Sequence, residues 1–493
     1  LSPCDFADCG FGSRAGGKEY TCSPGAALDQ ELEIREDKSM IVAIDKNLCT
    51  GCRECAEVCP AYAIVGEQGQ PQTIDVSRCV MCGQCVQKCK SYVSILTHGK
   101  DAYEKVKKER NIPDSVQEPL FAAHAVCNLN KVKEAIADPD KFTVVQCAPA
   151  VRVAIAEEFG ADLGSLTPGR LAAALRALGF DRIYDTNFPA DLTIMEEGTE
   201  LIKRIKEGGV LPMFTSCCPA WVKFLENNYP ELKDHLSTAK SPQQMGGAVF
   251  KSYGASLEKL DGSRIYSVAV MPCTCKEFEC QRPEMRDSGY QDVDVAITTR
   301  DLAWLIKEQG IDWNHLEDED FDQPLGEYTG AGTIFGVTGG VMEAAIRTGY
   351  ELVTGEPIPD VEVTAVRGTE GFRTSKIKVG DLELKVGVVT GLKNVMPVLE
   401  AVKSGMLTLD FIEVMSCPAG CISGGGQPKL LMDTDREEAY RTRREATFAH
   451  DRQLPYRKSH ENPAIKKIYD EFLEEPNSHI AHHLLHTSYC IER

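Results

Sequence analysis

The chain has 493 residues, 43% hydrophobic and 26% charged, with a formal net charge of −20. This is the composition of a soluble globular protein too long for one ordinary core, so two to four domains are expected. The negative balance argues against nucleic acid and anionic membrane as partners, and without an apolar run of about 18 residues no spanning helix is expected. The opening stretch LSPCDFADCGFG lacks a basic segment followed by an apolar one, so no secretory signal is expected and the predicted compartment is cytoplasmic. Twenty-one cysteines clustered in such a chain favour metal–thiolate binding over disulfides.

In chain order, residues 1–40 read as a Gly-rich extension carrying Cys4, Cys9 and Cys22. These three thiols are one short of a further Fe–S site, so a free-thiol or labile structural role stands beside a cluster that borrows a fourth ligand. Residues 41–97 form a compact module with two cysteine runs, and 98–140 read as a helical connector. Residues 41–100 carry six basic side chains (Lys46, Arg53, Arg78, Lys88, Lys90, Lys100) against five acidic ones (Asp45, Glu54, Glu57, Glu67, Asp75), a balance of 6 − 5 = +1. In an acidic protein this segment either docks an acidic electron carrier such as a ferredoxin or is simply a solvated face.

From 141 to 435 short apolar runs alternate with amphipathic segments. The runs FTVVQ, RIYDT, VLPMFT, YSVAVMP, VDVAIT, KVGVVTG and FIEVMS are predicted strands. Between them lie helices such as SLTPGRLAAALRALG, where Thr167 suits a cap and Pro168 the first turn. The predicted fold class is α/β, a catalytic domain of two lobes with helix-flanked parallel sheets, joined to an α+β ferredoxin-like module. Residues 436–493 are predicted to be a charged helical wrap. Cys127 and Cys490 read as small buried hydrophobes. His479, His482, His483 and His486 would share one face if helical, and read as surface residues rather than metal ligands.

The runs Cys49-x2-Cys52-x2-Cys55-x3-Cys59 and Cys79-x2-Cys82-x2-Cys85-x3-Cys89 repeat the spacing of two-cluster bacterial ferredoxins, where the fourth cysteine of each run ligates the other cluster. One [4Fe–4S] cluster is therefore assigned to Cys49, Cys52, Cys55 and Cys89, the other to Cys79, Cys82, Cys85 and Cys59. Lys90 stands where the first run has Pro60, which changes a turn and removes no ligand.

Three further segments, FTSCCPAW (214–221), MPCTCKEFE (271–279) and EVMSCPAGCISGGGQP (413–428), each follow a predicted strand. Strand ends of open α/β sheets are where ligands bind, so the three are expected at one crevice. Cys218, Cys273, Cys417 and Cys421 supply four thiolates, enough for a [4Fe–4S] cluster, and Gly424, Gly425 and Gly426 allow backbone to approach something bulky.

Together these segments resemble the catalytic motifs of [FeFe] hydrogenases over roughly residues 41–493. The resemblance implies that the four cysteines hold the cubane of an H-cluster, with Cys421 bridging to a diiron subcluster carrying CO, cyanide and azadithiolate, and that the reaction is 2H⁺ + 2e⁻ ⇌ H₂. It implies that Lys276 donates to an anionic cyanide ligand. Met271, Met415, Gln243 and Phe335, with Ala148, Pro149 and Gly425, are expected to border the cofactor, with ordinary core packing the competing role of such side chains.

Glu197, Glu200 and Arg204 fall at i, i+3 and i+7 on one predicted helical face, a pattern that alone reads as surface salt bridges. The resemblance instead implies a proton relay through Cys217, Glu197, Ser237, Glu200 and Arg204. Ala150, Cys275 and Ser416 depart from the best-known family members, and Cys147 and Cys280 add thiols near the same region, which marks a divergent subgroup. A hydrogenase-like Fe–S assembly protein and a hydrogen sensor are the alternative functions. A hydrogenase could act alone or as one subunit of a larger redox complex.

Overall fold

The computed structural model describes residues 40–489. Cys4, Cys9, Cys22 and Cys490 therefore lie outside the described residues.

The two-run module is held by short strands and tight turns. β1 (Val42–Ile44), β2 (Ile64–Val65), β3 (Thr73–Ile74) and β4 (Tyr92–Val93) surround the helices Glu54–Val58 and Gln84–Lys88, each begun by the third cysteine region of its run. β2 and β3 pair antiparallel. The stretch expected to be a helical connector is only partly so. Helices Lys100–Glu109 and Leu129–Ala137 are present, but β5 (Leu120–Phe121) and β6 (Ala123–Ala125) lie between them. β5 pairs with β4 and β6 with β1, both antiparallel. The connector thus completes the module: one residue between them, Ala122, donates to the Ser91 carbonyl at 2.8 Å and accepts from Asp45 at 2.9 Å. Backbone pairing of this kind leaves no side-chain period for sequence to display.

Residues 142–415 contain two four-stranded sheets. The first has the order β11-β10-β7-β8, from β7 (Phe142–Cys147), β8 (Arg182–Asp185), β10 (Ile265–Met271) and β11 (Val295–Thr298), all parallel. The second has the order β12-β13-β14-β9, from β9 (Met213–Phe214), β12 (Phe372–Val379), β13 (Leu382–Thr390) and β14 (Phe411–Met415). Its edge strand β12 is antiparallel to β13 and was not among the predicted strands. Its burial alternates along FRTSKIKV, with polar side chains on both faces, which hides it from a search for apolar runs. β7, β10 and β14 are almost wholly buried, as expected of strands covered on both faces.

Helix Pro168–Ala177 begins with Pro168 in its first turn as expected, but the Thr167 side chain makes no cap; its hydroxyl donates to the Arg152 carbonyl at 3.4 Å instead. Helix Thr299–Glu308 closes a full capping box between Thr298 and Asp301 and buries Leu302, Leu305 and Ile306. The tail is helical, as Asp433–Gln453, Pro463–Ile468 and His479–Leu485. It is less superficial than expected. Arg443 is 1% exposed and pairs with Glu157, and His486, just past the last helix, is 4% exposed. His486 shares hydrogen bonds with the Thr238 hydroxyl (2.8 Å) and the Glu196 carboxylate (3.0 Å), and His482 stacks on its ring. The expected row of four surface histidines is therefore broken by one that turns inward.

Candidate functional site

Four loops meet where the two sheets present their carboxyl ends. Ala148 and Pro149 follow β7 and Cys273 follows β10 in one sheet; Cys217 and Cys218 follow β9 and Cys417 follows β14 in the other. Between them is a cavity of about 80 Å³, several times the roughly 10–15 Å³ that one water needs. Cys218, Cys273, Cys417 and Cys421 all border it, with Cys217, Lys276, Met271, Met415, Gln243, Phe335, Ala148 and Pro149. The candidates for cofactor contact thus come to one space, with Gly425 apart, while Glu197, Ser237, Glu200 and Arg204 lie outside its lining; its wall is apolar apart from the thiols, Lys276 and a few amide and hydroxyl groups.

Gly425 is the exception. A Cβ there would lie 2.6 Å from the Cys82 carbonyl oxygen and from Gly83 Cα, so its missing side chain admits the two-run module, not a cofactor. Gly424 borders the cavity, but its own Cβ would meet the Pro272 carbonyl at 2.1 Å. The bulky neighbour anticipated for the glycine run is other backbone.

The thiols fit a polynuclear group. Among the described residues no three Cys, His, Asp or Glu side chains converge on a single-ion position, and the four cysteines instead face one another around the cavity. Burial first, then the mutual charge of Cys218 and Cys273, pushes Cys421 up to about 12; burial, then Cys218, does the same to Cys273. Free thiolates are therefore disfavoured here, and metal coordination is what would retain them in that form. Gln243 Oε1, on a residue that borders the cavity, has no hydrogen-bond partner among the described residues, as expected where a polar guest or water completes the site.

Lys276 is held firmly. Its Nζ donates to Glu279 at 2.8 Å and to the Cys217 carbonyl at 3.1 Å. Burial alone would depress it, but the adjacent Glu279 carboxylate raises it above the usual lysine value, so it stays an ammonium. Glu279 was not singled out from sequence, although its place three residues after Lys276 in one helix is a legible pairing. It also accepts from Ser241 (2.8 Å) and Gln243 (3.1 Å).

The relay candidates lie on one side. Glu197, Glu200 and Arg204 share helix Asn187–Glu207, and Ser237 is fully buried. Ser237 donates to Glu200 at 2.8 Å, and Arg204 to Glu200 at 2.6 Å. The Thr238 amide adds a donor to the same carboxylate at 3.0 Å. Glu197 is 1% exposed; burial, then the nearby Glu200 charge, pushes it up to about 8. Cys217 is also pushed well up, by burial and then by Glu197. The extra thiols are elsewhere: Cys147, Cys275 and Cys280 are buried in the packing and do not border the cavity, and Cys127 is half-buried against the same cluster as Cys147 and Cys280. Ser416 does border it, with the Cys218 thiol donating to its hydroxyl at 3.1 Å.

The eight cysteines of the two-run module form two groups. Cys55 feels the charges of Cys89, Cys49 and Cys52, while Cys79 and Cys82 feel that of Cys59. The second group abuts the loops that border the cavity. Gln84 Nε2 donates to Cys417 Sγ at 3.3 Å and to the Ser423 carbonyl at 3.1 Å. Gln87 Nε2 reaches the carbonyls of Gly424, Gly425 and Gln427, and the Thr274 hydroxyl that of Met81. These ties join residues up to 340 positions apart, and nothing in either local sequence announces them.

Comparison with known proteins gives three family matches: "Iron only hydrogenase large subunit, C-terminal domain" over residues 141–425, "Iron hydrogenase small subunit" over 437–490, and "4Fe-4S dicluster domain" over 41–90. Among similar curated proteins, NADP-reducing hydrogenase subunit HndD of Solidesulfovibrio fructosivorans is 46% identical over 92% of this chain and 75% of its own length. Iron hydrogenase 1 of Clostridium pasteurianum is 38% identical over 93% and 77%. A solved structure of [FeFe]-hydrogenase HydA1 from Chlamydomonas reinhardtii, in apo form, superposes with a TM-score of 0.66 at 40% identity, covering 74% of this chain and 98% of that one.

Proposed function

The chain belongs to the iron-only hydrogenase family, and from that premise we propose how its own residues serve 2H⁺ + 2e⁻ ⇌ H₂. The family's cofactors are an H-cluster and [4Fe–4S] clusters. When bound, the H-cluster supplies the redox chemistry that joins protons and electrons as H₂. Cys218, Cys273, Cys417 and Cys421 would hold it, and Lys276, kept charged by Glu279, would offer an ammonium to its anionic ligands. Met271, Met415 and Phe335 exclude water with side chains 2–6% exposed.

Protons pass between solvent and the cavity through Arg204, Glu200, Ser237, Glu197 and Cys217. Glu200 accepts from both Arg204 and Ser237, so one carboxylate links the outermost member to the middle one. Glu197, pushed up to about 8, holds a proton near neutrality and sits in the working range of a proton carrier. Cys49, Cys52, Cys55 and Cys89, of which Cys52 is exposed, would hold one [4Fe–4S] cluster, and Cys79, Cys82, Cys85 and Cys59 the other; these groups would supply one-electron carriers between the surface and the cavity. Gln84 then bridges directly to Cys417. An electron-transfer protein such as a ferredoxin is the proposed donor, and the subunit status of the HndD relative favours work within a larger redox complex.

The observation carrying this reading is the single cavity bordered by all four cysteines, Cys217 and Lys276. The test is infrared spectroscopy of the anaerobically matured chain, followed by hydrogen turnover with a reduced dye. Bands from iron-bound CO and cyanide with turnover are expected; iron-loaded protein lacking both would refute it and favour an assembly role.

A further inference from the structure

A second cavity, of about 360 Å³, shares no lining residue with the first. It lies between residues 118–127, the face of helix Thr299–Glu308 carrying Trp304, and the segment just past the glycine run. Eight strongly charged side chains border it: Arg110, Arg300, Lys307 and Lys429 against Glu118, Glu157, Glu158 and Asp301. Most are already matched. Arg110 pairs with Asp45 at 3.0 Å, Glu157 with Arg443, and Lys307 with Glu118 at 2.6 Å and Glu158 at 3.7 Å. Asp301 accepts the N-cap amide of its own helix.

Arg300 and Lys429 are left over. Arg300 Nη2 donates to the Gly425 carbonyl at 3.0 Å, and Lys429 Nζ donates to the carbonyls of Val86 and Gln87 at 2.5 and 3.3 Å. Lys429 also lies 4.0 Å over the Phe121 ring. Among the described residues neither has a carboxylate within ion-pair distance. The two cations oppose each other: burial, then the Arg300 charge, pushes Lys429 down to about 7. Glu158 offers little relief, because burial and the neighbouring Glu118 push it up to about 7. Asp301, Glu158 and Glu118 act on Arg300 and Cys89 and Cys85 on Lys429 from beyond ion-pair distance, so the direct partners of these two partly buried like charges on one wall are carbonyls and a ring, which leaves a place for a contacting counter-charge. A fork-shaped guanidinium beside a compact ammonium matches a tetrahedral, doubly charged anion.

We propose that this cavity binds a small tetrahedral oxyanion of the phosphate or sulfate class, with Arg300 and Lys429 as its charged contacts. Both residues also tie the two-run module to the catalytic domain, Lys429 through Val86 and Gln87 and Arg300 through Gly425. A bound oxyanion would therefore lock that junction by removing the repulsion across it. The proposal is independent of the hydrogenase mechanism.

The test is calorimetric titration of inorganic phosphate into the full, iron-loaded chain at fixed ionic strength, with sulfate as competitor. One saturable site is expected, displaced by sulfate, with affinity at least tenfold weaker in both Arg300→Gln and Lys429→Met and retained in Lys429→Arg. Thermal unfolding of the parent protein gives a readout that does not depend on variants folding: phosphate should raise Tm saturably above an ionic-strength-matched chloride control. No saturable heat, no Tm increment, or parent affinity in both neutral variants would overturn the assignment.

Discussion

Replacing Glu197 with glutamine separates its proton chemistry from its packing. Glu197→Gln keeps the side chain's size in a fully buried position and removes only the ionisation. The carboxyl moves from an ordinary 4.5 to about 8 on folding. At about 1.36 kcal/mol per unit, ionising it in the native state costs on the order of 5 kcal/mol. Because the folded value is raised, its stabilising contribution is fully present below about pH 4.5 and is lost as pH climbs toward 8, while the unfolded chain has already ionised. The parent should therefore lose about 3.5 kcal/mol relative to Glu197→Gln between pH 5 and pH 8. Titrating groups distant from Glu197 are shared and cancel in the difference, while Glu200 and Cys217, which feel its charge, respond to the substitution. Denaturant midpoints of both proteins across that range measure it. Hydrogen turnover in the variant should fall by roughly 10²–10⁴, the usual contribution of a positioned acid–base group. A stability difference that does not change with pH would refute the buried, raised carboxyl; undiminished turnover would refute its place in the relay.

The remaining expectations concern the supply lines. Cys217→Ala should abolish most turnover while leaving iron content and the infrared bands intact; loss of iron would make Cys217 a structural residue. Gln84→Ala removes a donor to Cys417 Sγ and should shift the midpoint potential of the cluster held there to a more negative value, as read by redox titration with electron paramagnetic resonance. An unchanged potential would show that the contact does not act on the cluster. Gly83→Ala places a Cβ 2.6 Å from Thr274 Oγ1 at a φ of +71° and should slow electron delivery from a protein donor more than turnover with a small dye. Equal effects on both would place the damage in the catalytic domain itself.

Sequence by itself determined what spacing can carry. Cysteine runs set the order of Cys49 to Cys89, helical periodicity put Glu197, Glu200 and Arg204 on one face, and short apolar runs revealed the strands that deliver Cys218, Cys273 and Cys417. Each signal is local, because the side chains answer to their own helix or strand. Tertiary structure decided everything that depends on which surfaces meet. It folded the connector into the module through backbone bonds, turned His486 inward to Glu196, kept Cys147, Cys275 and Cys280 away from the cavity, and used Gly425 to admit the Cys82–Gly83 turn. It also brought Gln84 to Cys417, and Arg300 and Lys429 to one wall. Such contacts join residues hundreds of positions apart through carbonyls and single side chains, which leave no period or spacing in the chain from which they could be read.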